Sequence, residues 1–452
     1  MTLPNDAGYD TLRLLQNPRY DDQRPLAVLT VSGADDVATA FAFAQDNGLP
    51  VAIRSGGHCY PGWSAGGDPR ALVLDCRRLD DVDLAGDGTA TIGPGAPLVR
   101  VYDRLGSRGR AIGAGSCPTV GFGGLTLGGG VGVLTRSLGL TCDQVTSMQV
   151  VTADGTVRTA SADEEPDLFF ALRGGGGGHG GLVTSFTLAT SAAPGLSTAY
   201  LQWPLDAAAE VVPVWQDWMA GAPAELWSTL KALGGESRAE GPVVLASVTW
   251  TGADEAFAAA LARLLAQVPA PSVDVRHRRT YREAMLSYAG CADIPVDACT
   301  TGADGQLERE GFGATSHVAY DPLDDDGVAD LVAQVRTAQE SGLKEAGLSI
   351  DALGGVVADL DPAETAFVHR QALATVQYTA TFPTGTAADA DTFVRGFRAA
   401  MVPHWGESAY VNYADASLAD PERAYFGDNA ARLAEVRRSY DPDGFFTQPQ
   451  GW

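Results

Sequence analysis

The sequence predicts an α+β protein made of two parts, and three observations predict it. Glycine, 54 of 452 residues, crowds the N-terminal part, where short apolar strand candidates alternate with turns. Two glycine-rich turns there each carry one nucleophilic side chain. The first reads Ile53-Arg54-Ser55-Gly56-Gly57-His58, and the second Ser116-Cys117-Pro118-Thr119-Val120-Gly121-Phe122-Gly123-Gly124, followed by Gly128-Gly129-Gly130. Composition then changes near Ala192-Ala193-Pro194-Gly195, beyond which longer helical segments alternate with strands. That alternation suits a mostly antiparallel sheet with helices on one side and the other side free to cover a ligand.

Glycine gives up more conformational freedom on folding than any other residue, so such turns are costly unless backbone must approach something closely. Successive N–H groups in them form a concavity suited to phosphate or an electron-rich ring. The region from Ile53 to Gly132 therefore reads as the cradle of a large anionic cofactor.

A chain of this length can bury sizeable cores, and 45% hydrophobic residues is ordinary for a globular protein. The formal charge of -25 argues against nucleic-acid and anionic-membrane partners, which require a basic footprint, and favours a small-molecule substrate. The opening residues resemble no secretion signal and no long apolar run follows, so a cytoplasmic protein without a membrane span is expected. Six cysteines show no zinc-type pairing; Cys291 and Cys299 could bridge, although spacing alone does not fix the geometry. Oligomeric state is not legible.

In chain order, Leu26 to Thr30 reads as a strand, and Ser32 to Asp36 caps a helix running through Asn47, with Val37, Ala40, Phe41, Phe43 and Ala44 as its buried stripe. Pro50 to Arg54 is the next strand, so the His58 loop leaves a strand end, where open layers present ligand-binding loops. Leu72 to Asp75 and Thr89 to Gly93 are strands, and Pro97 to Gly106 is a helix. Val145 to Thr152 is a strand closed by the Ala153-Asp154-Gly155-Thr156 hairpin turn. A helix over Asp167 to Leu172 ends at five glycines from Gly174, and Leu182 to Ala189 closes the first part. In the second part, helices are expected over Asp254 to Gln267 and Asp326 to Ser341, and strands over Val243 to Trp250, Val356 to Asp359 and Ala374 to Phe382.

Together, Arg54-Ser55-Gly56-Gly57-His58, Cys117-Pro118-Thr119-Val120-Gly121, Gly128-Gly129-Gly130, Asp167-Leu168-Phe169 with Arg173-Gly174-Gly175-Gly176-Gly177, Tyr410-Val411-Asn412-Tyr413 and Tyr440-Asp441-Pro442 carry a pattern. It resembles the berberine-bridge-enzyme-like group of the vanillyl-alcohol-oxidase flavoproteins, in the right order over nearly the whole chain. The resemblance implies a PCMH-type FAD-binding domain split between residues 1–194 and 410–452, with a substrate-binding domain over 195–409. It implies bicovalent FAD, held through His58 and Cys117. The remaining cofactor contacts it implies are Arg54, Ser55, Gly56, Gly57, Gly121, Gly124, Gly128, Gly129, Val183 and Asn412. Histidine offers a neutral ring nitrogen and cysteine a soft thiolate, so the chemistry agrees.

Val120 matches the position of the family's oxygen gatekeeper, where valine goes with oxidase behaviour. Tyr410 and Tyr413 match the segment that supplies catalytic phenols; on a strand, 410 and 412 would share a face opposite 413. Two residues depart from the pattern. Val131 stands where many members have a tyrosine that supports the second phenol, and His179 stands where Asn-Phe-Gly is commoner. His179 is either a contact to cofactor or substrate or a turn histidine. Candidate substrate contacts are Val131, His369, Gln371 and Tyr378, with Tyr281, His317 and Asp321 as further polar residues, and Gln377 and Thr379 would face away from Tyr378 on a strand. His317 and Asp321 do not read as a metal pair, because Pro322 opposes a helix there.

The implied reaction is oxidation of an alcohol or hemiacetal of a small molecule, a carbohydrate or natural product, by hydride transfer to flavin with O2 as the electron acceptor and H2O2 as product. Two rivals are a flavin-dependent dehydrogenase or oxidative cyclase of secondary metabolism, and a non-catalytic FAD-containing binding or resistance protein.

Overall fold

The computed structural model describes residues 1–302, 304–382 and 387–452. The N-terminal part contains two sheets. Strands β1 (Ala27–Thr30), β2 (Val51–Arg54) and β3 (Leu72–Asp75) form a parallel sheet in the order β1-β3-β2. Parallel neighbours need a crossover, and the helix Ala34–Asp46 supplies the one between β1 and β2. Its buried stripe is Val37, Ala40, Phe41 and Ala44; Phe43, also expected in it, is exposed, because two residues beyond Phe41 it falls on the other side of the helix.

Strands β4 (Val82–Leu84), β5 (Thr89–Ile92), β7 (Val145–Val151), β8 (Val157–Ser161) and β9 (Leu182–Ala189) form an antiparallel sheet in the order β4-β5-β9-β7-β8. At the β7–β8 turn the Asp154 carboxylate accepts from Thr152 Oγ1 and from the Thr156 amide, which fixes the hairpin. A two-stranded ribbon pairs β6 (Arg110–Ala111) with β10 (Ser191–Ala192).

The second part is one seven-stranded antiparallel sheet. It comprises β11 (Gly195–Pro204), β12 (Leu226–Gly234), β13 (Val243–Trp250), β14 (Val273–Thr280), β15 (Gly311–Ala319), β16 (Glu345–Ala352) and β17 (Ala374–Phe382). Their order is β14-β11-β13-β12-β16-β17-β15. Helices Ala208–Ala220, Asp254–Leu265, Asp325–Glu340 and Ala387–Trp405 cover one face. Leu230, Leu348, Val376 and Tyr378 point into that core against Trp215, Leu331 and Phe397. Side chains alternate along a strand, so the residues between them face the other way, towards the N-terminal part.

The C-terminal tail returns to the N-terminal layers. Phe446 packs edge-on against Phe41 at 5.2–5.4 Å together with Phe445, and Trp452 Nε1 donates to the Gly175 carbonyl at 2.7 Å.

One expected strand is absent. Gly355–Asp359 forms a 3-10 turn instead of a strand over Val356 to Asp359. Gly354 and Gly355 have φ of 82° and 58°, which breaks the extended backbone before Val356, and Gly355 lies against the Arg136 backbone, leaving no space for a side chain. Cys291 and Cys299 are joined, with Cα atoms 6.0 Å apart. Among the described residues no helix is long and apolar enough to cross a membrane.

Candidate active site

A cavity of about 1090 Å3 lies between the glycine-rich loops and the uncovered face of the seven-stranded sheet. The two parts of the chain meet across it, and the C-terminal segment Tyr410–Ala414 closes one side.

The loop wall is backbone on backbone. A Cβ at Gly56 would overlap the Gly121 amide, and one at Gly121 would overlap Ser55, so only glycine lets the His58 and Cys117 loops touch. Gly124 faces open space within the cavity. Ser55, Gly56, Gly57, His58, Cys117, Val120, Gly121, Gly124, Val131, Val183 and Asn412 all line it.

His58 shares a 3.0 Å hydrogen bond between Nε2 and Thr119 Oγ1. Burial pulls its pKa down to about 4, so the ring is neutral near neutrality. The Cys117 thiol opens onto the cavity. The surrounding walls raise its pKa, and the charge of Lys231 opposes that rise. His179 lines the cavity but is only 3% exposed. Burial lowers its pKa to about 3, its ring meets Trp452 at 6.0 Å, and its Nδ1 has no hydrogen-bond partner among the described residues.

Tyr410 caps and Tyr413 ends a 3-10 turn, Val411–Tyr413, so the two do not share a strand. Their rings consequently meet edge-on at 5.0 Å instead of pointing to opposite faces. The Tyr410 oxygen is engaged: it accepts from the Gly130 amide at 2.9 Å, the Val131 amide at 3.3 Å and Asn412 Nδ2 at 2.9 Å. Burial raises Tyr410 to about 12 against the pull of these donors. The Val131 side chain carries no hydroxyl, but its main chain reaches a phenol. Tyr413 stacks parallel to Tyr60 at 5.7 Å. It is held well above the ordinary phenol value by burial and then by the charge of Asp351. Asp351 is itself raised by burial, with Lys231 opposing.

The sheet wall is a polar carpet. Trp227, Thr229 and Lys231 of β12, Ser349 and Asp351 of β16, and Gln377, Thr379 and Thr381 of β17 face the cavity, with Thr198, Tyr200 and Ser247 beside them. The register places Thr229 opposite Asp351, and Lys231 opposite Ser349, which is opposite Gln377. Gln377 Nε2 donates to the Tyr60 hydroxyl.

Several expected contacts are elsewhere. The Arg54 guanidinium turns away from the cavity to Asp75, at 2.7 Å from Nε, and to the Leu12 and Arg13 carbonyls. Gly128 lies behind the wall against Asn412, and Gly129 lies against Phe367 and Tyr410. Tyr378 faces the helix layer, its hydroxyl 2.8 Å from His317 Nδ1. It occupies the parity opposite Gln377. His369 is buried between Tyr320, at 2.7 Å, and the Ala409 carbonyl, at 3.1 Å. Gln371 is exposed and donates to the Ala358 carbonyl. None of Arg54, Gly128, Gly129, His369, Gln371 and Tyr378 lines the cavity. Tyr281 is buried with its hydroxyl on Ile112.

Sequence reasoning missed Tyr60, Lys231 and Asp351. The signal was present for two of them: Lys231 and Asp351 are charges flanked by apolar residues, Leu230 and Ala232, Ile350 and Ala352, on strands where alternate positions change face, so each must face something other than the core. Among the described residues no cluster of His, Cys, Asp and Glu could hold a metal ion.

Comparison with known proteins agrees with this layout. The "FAD binding domain" family model matches residues 25–161, and the "Berberine and berberine like" model matches 409–451. The chain is 30% identical over 451 residues to a chitooligosaccharide oxidase of Gibberella zeae, covering 94% of this chain and 87% of that protein. A xylooligosaccharide oxidase of Thermothelomyces thermophilus is 31% identical over 456 residues, covering 94% and 86%. Among solved structures, the Physcomitrella patens BBE-like 1 protein superposes with a TM-score of 0.90 at 26% identity, over all of this chain and 96% of that one.

Proposed function

The chain belongs to the berberine-bridge-enzyme-like family of FAD-linked oxidoreductases, and from that premise we propose that it oxidises a hydroxyl or hemiacetal carbon of a carbohydrate-like small molecule, with O2 as the electron acceptor. The observation that carries this reading is the hydroxyl- and amide-bearing sheet face set opposite the glycine cradle, with Tyr413 and Asp351 in the same cavity. Such a face offers paired donors and acceptors to a polyhydroxylated ligand. The relatives named as oligosaccharide oxidases support the same substrate class.

The cradle fits a flavin dinucleotide. Glycine backbone lines one wall where side chains would intrude, a neutral imidazole and an open thiol face the cavity, and the buried His179 is without a partner at Nδ1 among the described residues. His58 and Cys117 would hold the cofactor covalently, and Gly56, Gly57, Gly121, Gly124, Val183 and Asn412 would line it. Bound FAD supplies the two-electron chemistry, taking hydride from the substrate carbon and delivering electrons to O2 to yield H2O2.

The residues of the chain manage the proton. Tyr410 already accepts three hydrogen bonds, so its oxygen is a fixed support. Tyr413 takes the substrate hydroxyl proton at Oη and relays its own to the Asp351 carboxylate, because a phenol held so high is a base only when a neighbour receives its proton. Val120, three residues after Cys117 and also on the cavity wall, is the side chain to which this reading gives control of O2 access.

Purified enzyme tests this directly. Acid-precipitated protein is expected to stay yellow, with flavin on the peptides containing His58 and Cys117, and cello-, xylo- or chito-oligosaccharides are expected to drive oxygen uptake with H2O2 release. Flavin freed into the supernatant removes the covalent claim. Failure of every sugar removes the substrate claim.

A further inference from the structure

Lys231 stands out within the sheet face. Lys231 and Lys344 are the only lysines in the sequence. Lys344 is exposed and paired with Glu310. Lys231 sits mid-strand on β12 with its side chain on the cavity wall. Among the described residues its ammonium has no carboxylate within ion-pair reach and makes no hydrogen bond. A cation on a partly desolvated strand face needs a partner, and a lysine supplies one compact charge with three rotatable donors.

The surroundings say what kind of partner. Across the register Lys231 faces Ser349 on one side and Leu245 on the other, with Gln377 one strand further on. It is two residues, about 7 Å, along β12 from the Thr229–Asp351 row. Its charge is felt at both Asp351 and Cys117, so it lies close to the reacting end. The nearest acid on the wall, Asp351, stands in the neighbouring row opposite Thr229 and forms no ion pair with Lys231 among the described residues. His277 and Arg279, on the edge strand β14, line the same cavity further out. Glu308 and Glu310 line that cavity as well, so its outer part carries both signs, and Lys231 is the cation whose charge reaches the reacting end.

We propose that Lys231 selects substrates that carry a carboxylate, its ammonium pairing with that group while the oxidisable hydroxyl lies at Tyr413. The proposal rests on the reading of this cavity as the substrate site, and it narrows the substrate from a neutral sugar to an acidic small molecule, such as a uronic acid or an aromatic hydroxy acid. Lys231 then fixes the position of the anion on the sheet face.

The test uses the FAD-loaded enzyme and matched probes: glucuronate against glucose, and para-hydroxymethylbenzoate against benzyl alcohol. Binding is read from the perturbation of the bound flavin's visible absorption, and oxidation from oxygen uptake. The acid of at least one pair is expected to bind about tenfold tighter than its neutral partner, as for a charge-assisted contact, and high salt should shrink the preference. Lys231→Met and Lys231→Gln should abolish the preference, and Lys231→Arg should keep part of it. Wild-type enzyme that shows no preference in either pair, or a Lys231→Met enzyme that keeps it, overturns the proposal. Oxidation of neutral oligosaccharides without acid preference would overturn this inference and leave the proposed function standing. Selective binding of the aromatic acid with no sugar oxidised would do the reverse.

Discussion

Two tyrosines three positions apart do different work because their oxygens have different neighbours. Tyr410 is saturated by two main-chain amides and Asn412, whereas Tyr413 faces the cavity beside Asp351 and Tyr60. Tyr413→Phe is therefore expected to lower kcat by about a hundredfold or more, as for loss of a general base, with little effect on folding. Tyr410→Phe should instead cost about 1–3 kcal/mol of stability by leaving buried donors unmatched, measurable as a lower Tm. Asp351 must be ionised to receive the relayed proton, and its pKa is raised, so activity should fall as pH drops through a value above the ordinary carboxylate range. In Asp351→Asn the residual rate should lose that acid limb; a pH profile of kcat decides. Sequence alone could not separate the phenols, because it reads that segment as extended and a 3-10 turn reverses which rings meet.

At the scale of elements, strand ends and glycine turns do the positioning. Arg54, at the end of β2, ties that strand to Asp75 at the end of β3, and both side chains are no more than 1% exposed. Asp75 would be raised by burial, but hydrogen bonds from Arg77 and the charge of Arg54 hold it below the usual carboxylate range. That contribution to stability is present above the unfolded-state value and is lost as pH falls through the lower folded-state value. Arg54→Met should destabilise by roughly 1–3 kcal/mol, since it removes one of two guanidinium groups from a buried carboxylate that Arg77 still holds and frees the Leu12 and Arg13 carbonyls, and chemical denaturation would measure it. The sequence showed the glycine loops and most strands, since those signals are local. It did not show that the Arg54 side chain is taken up by Asp75, because a motif records neighbours along the chain and that partner comes from another strand. Tyr378, His369 and Gln371 failed for a related reason: strand parity and the packing of loops decide which face a polar residue takes, and for Tyr378 the alternation with Gln377 already held the answer.

Over the whole molecule, the chain closes on itself. The last residue, Trp452, is 4% exposed, donates to Gly175 and packs against His179, so the tail pins the glycine run that borders the cavity. Trp452→Ala is expected to lower stability by about 3 kcal/mol or more and to loosen the cofactor wall, visible as a lower Tm and as faster flavin loss in a protein lacking Cys117 and His58 side chains. The seven-stranded sheet has a further consequence. Its strands bury Leu230, Leu348 and Val376 against helices on one side and present Thr229, Lys231, Ser349 and Gln377 on the other. Because alternate positions answer to separate demands, the outward set can be rewritten without disturbing the inward one. Such a face is a palette: gene duplication or a focused mutant library can explore new substrates there while the redox half of the molecule is inherited intact.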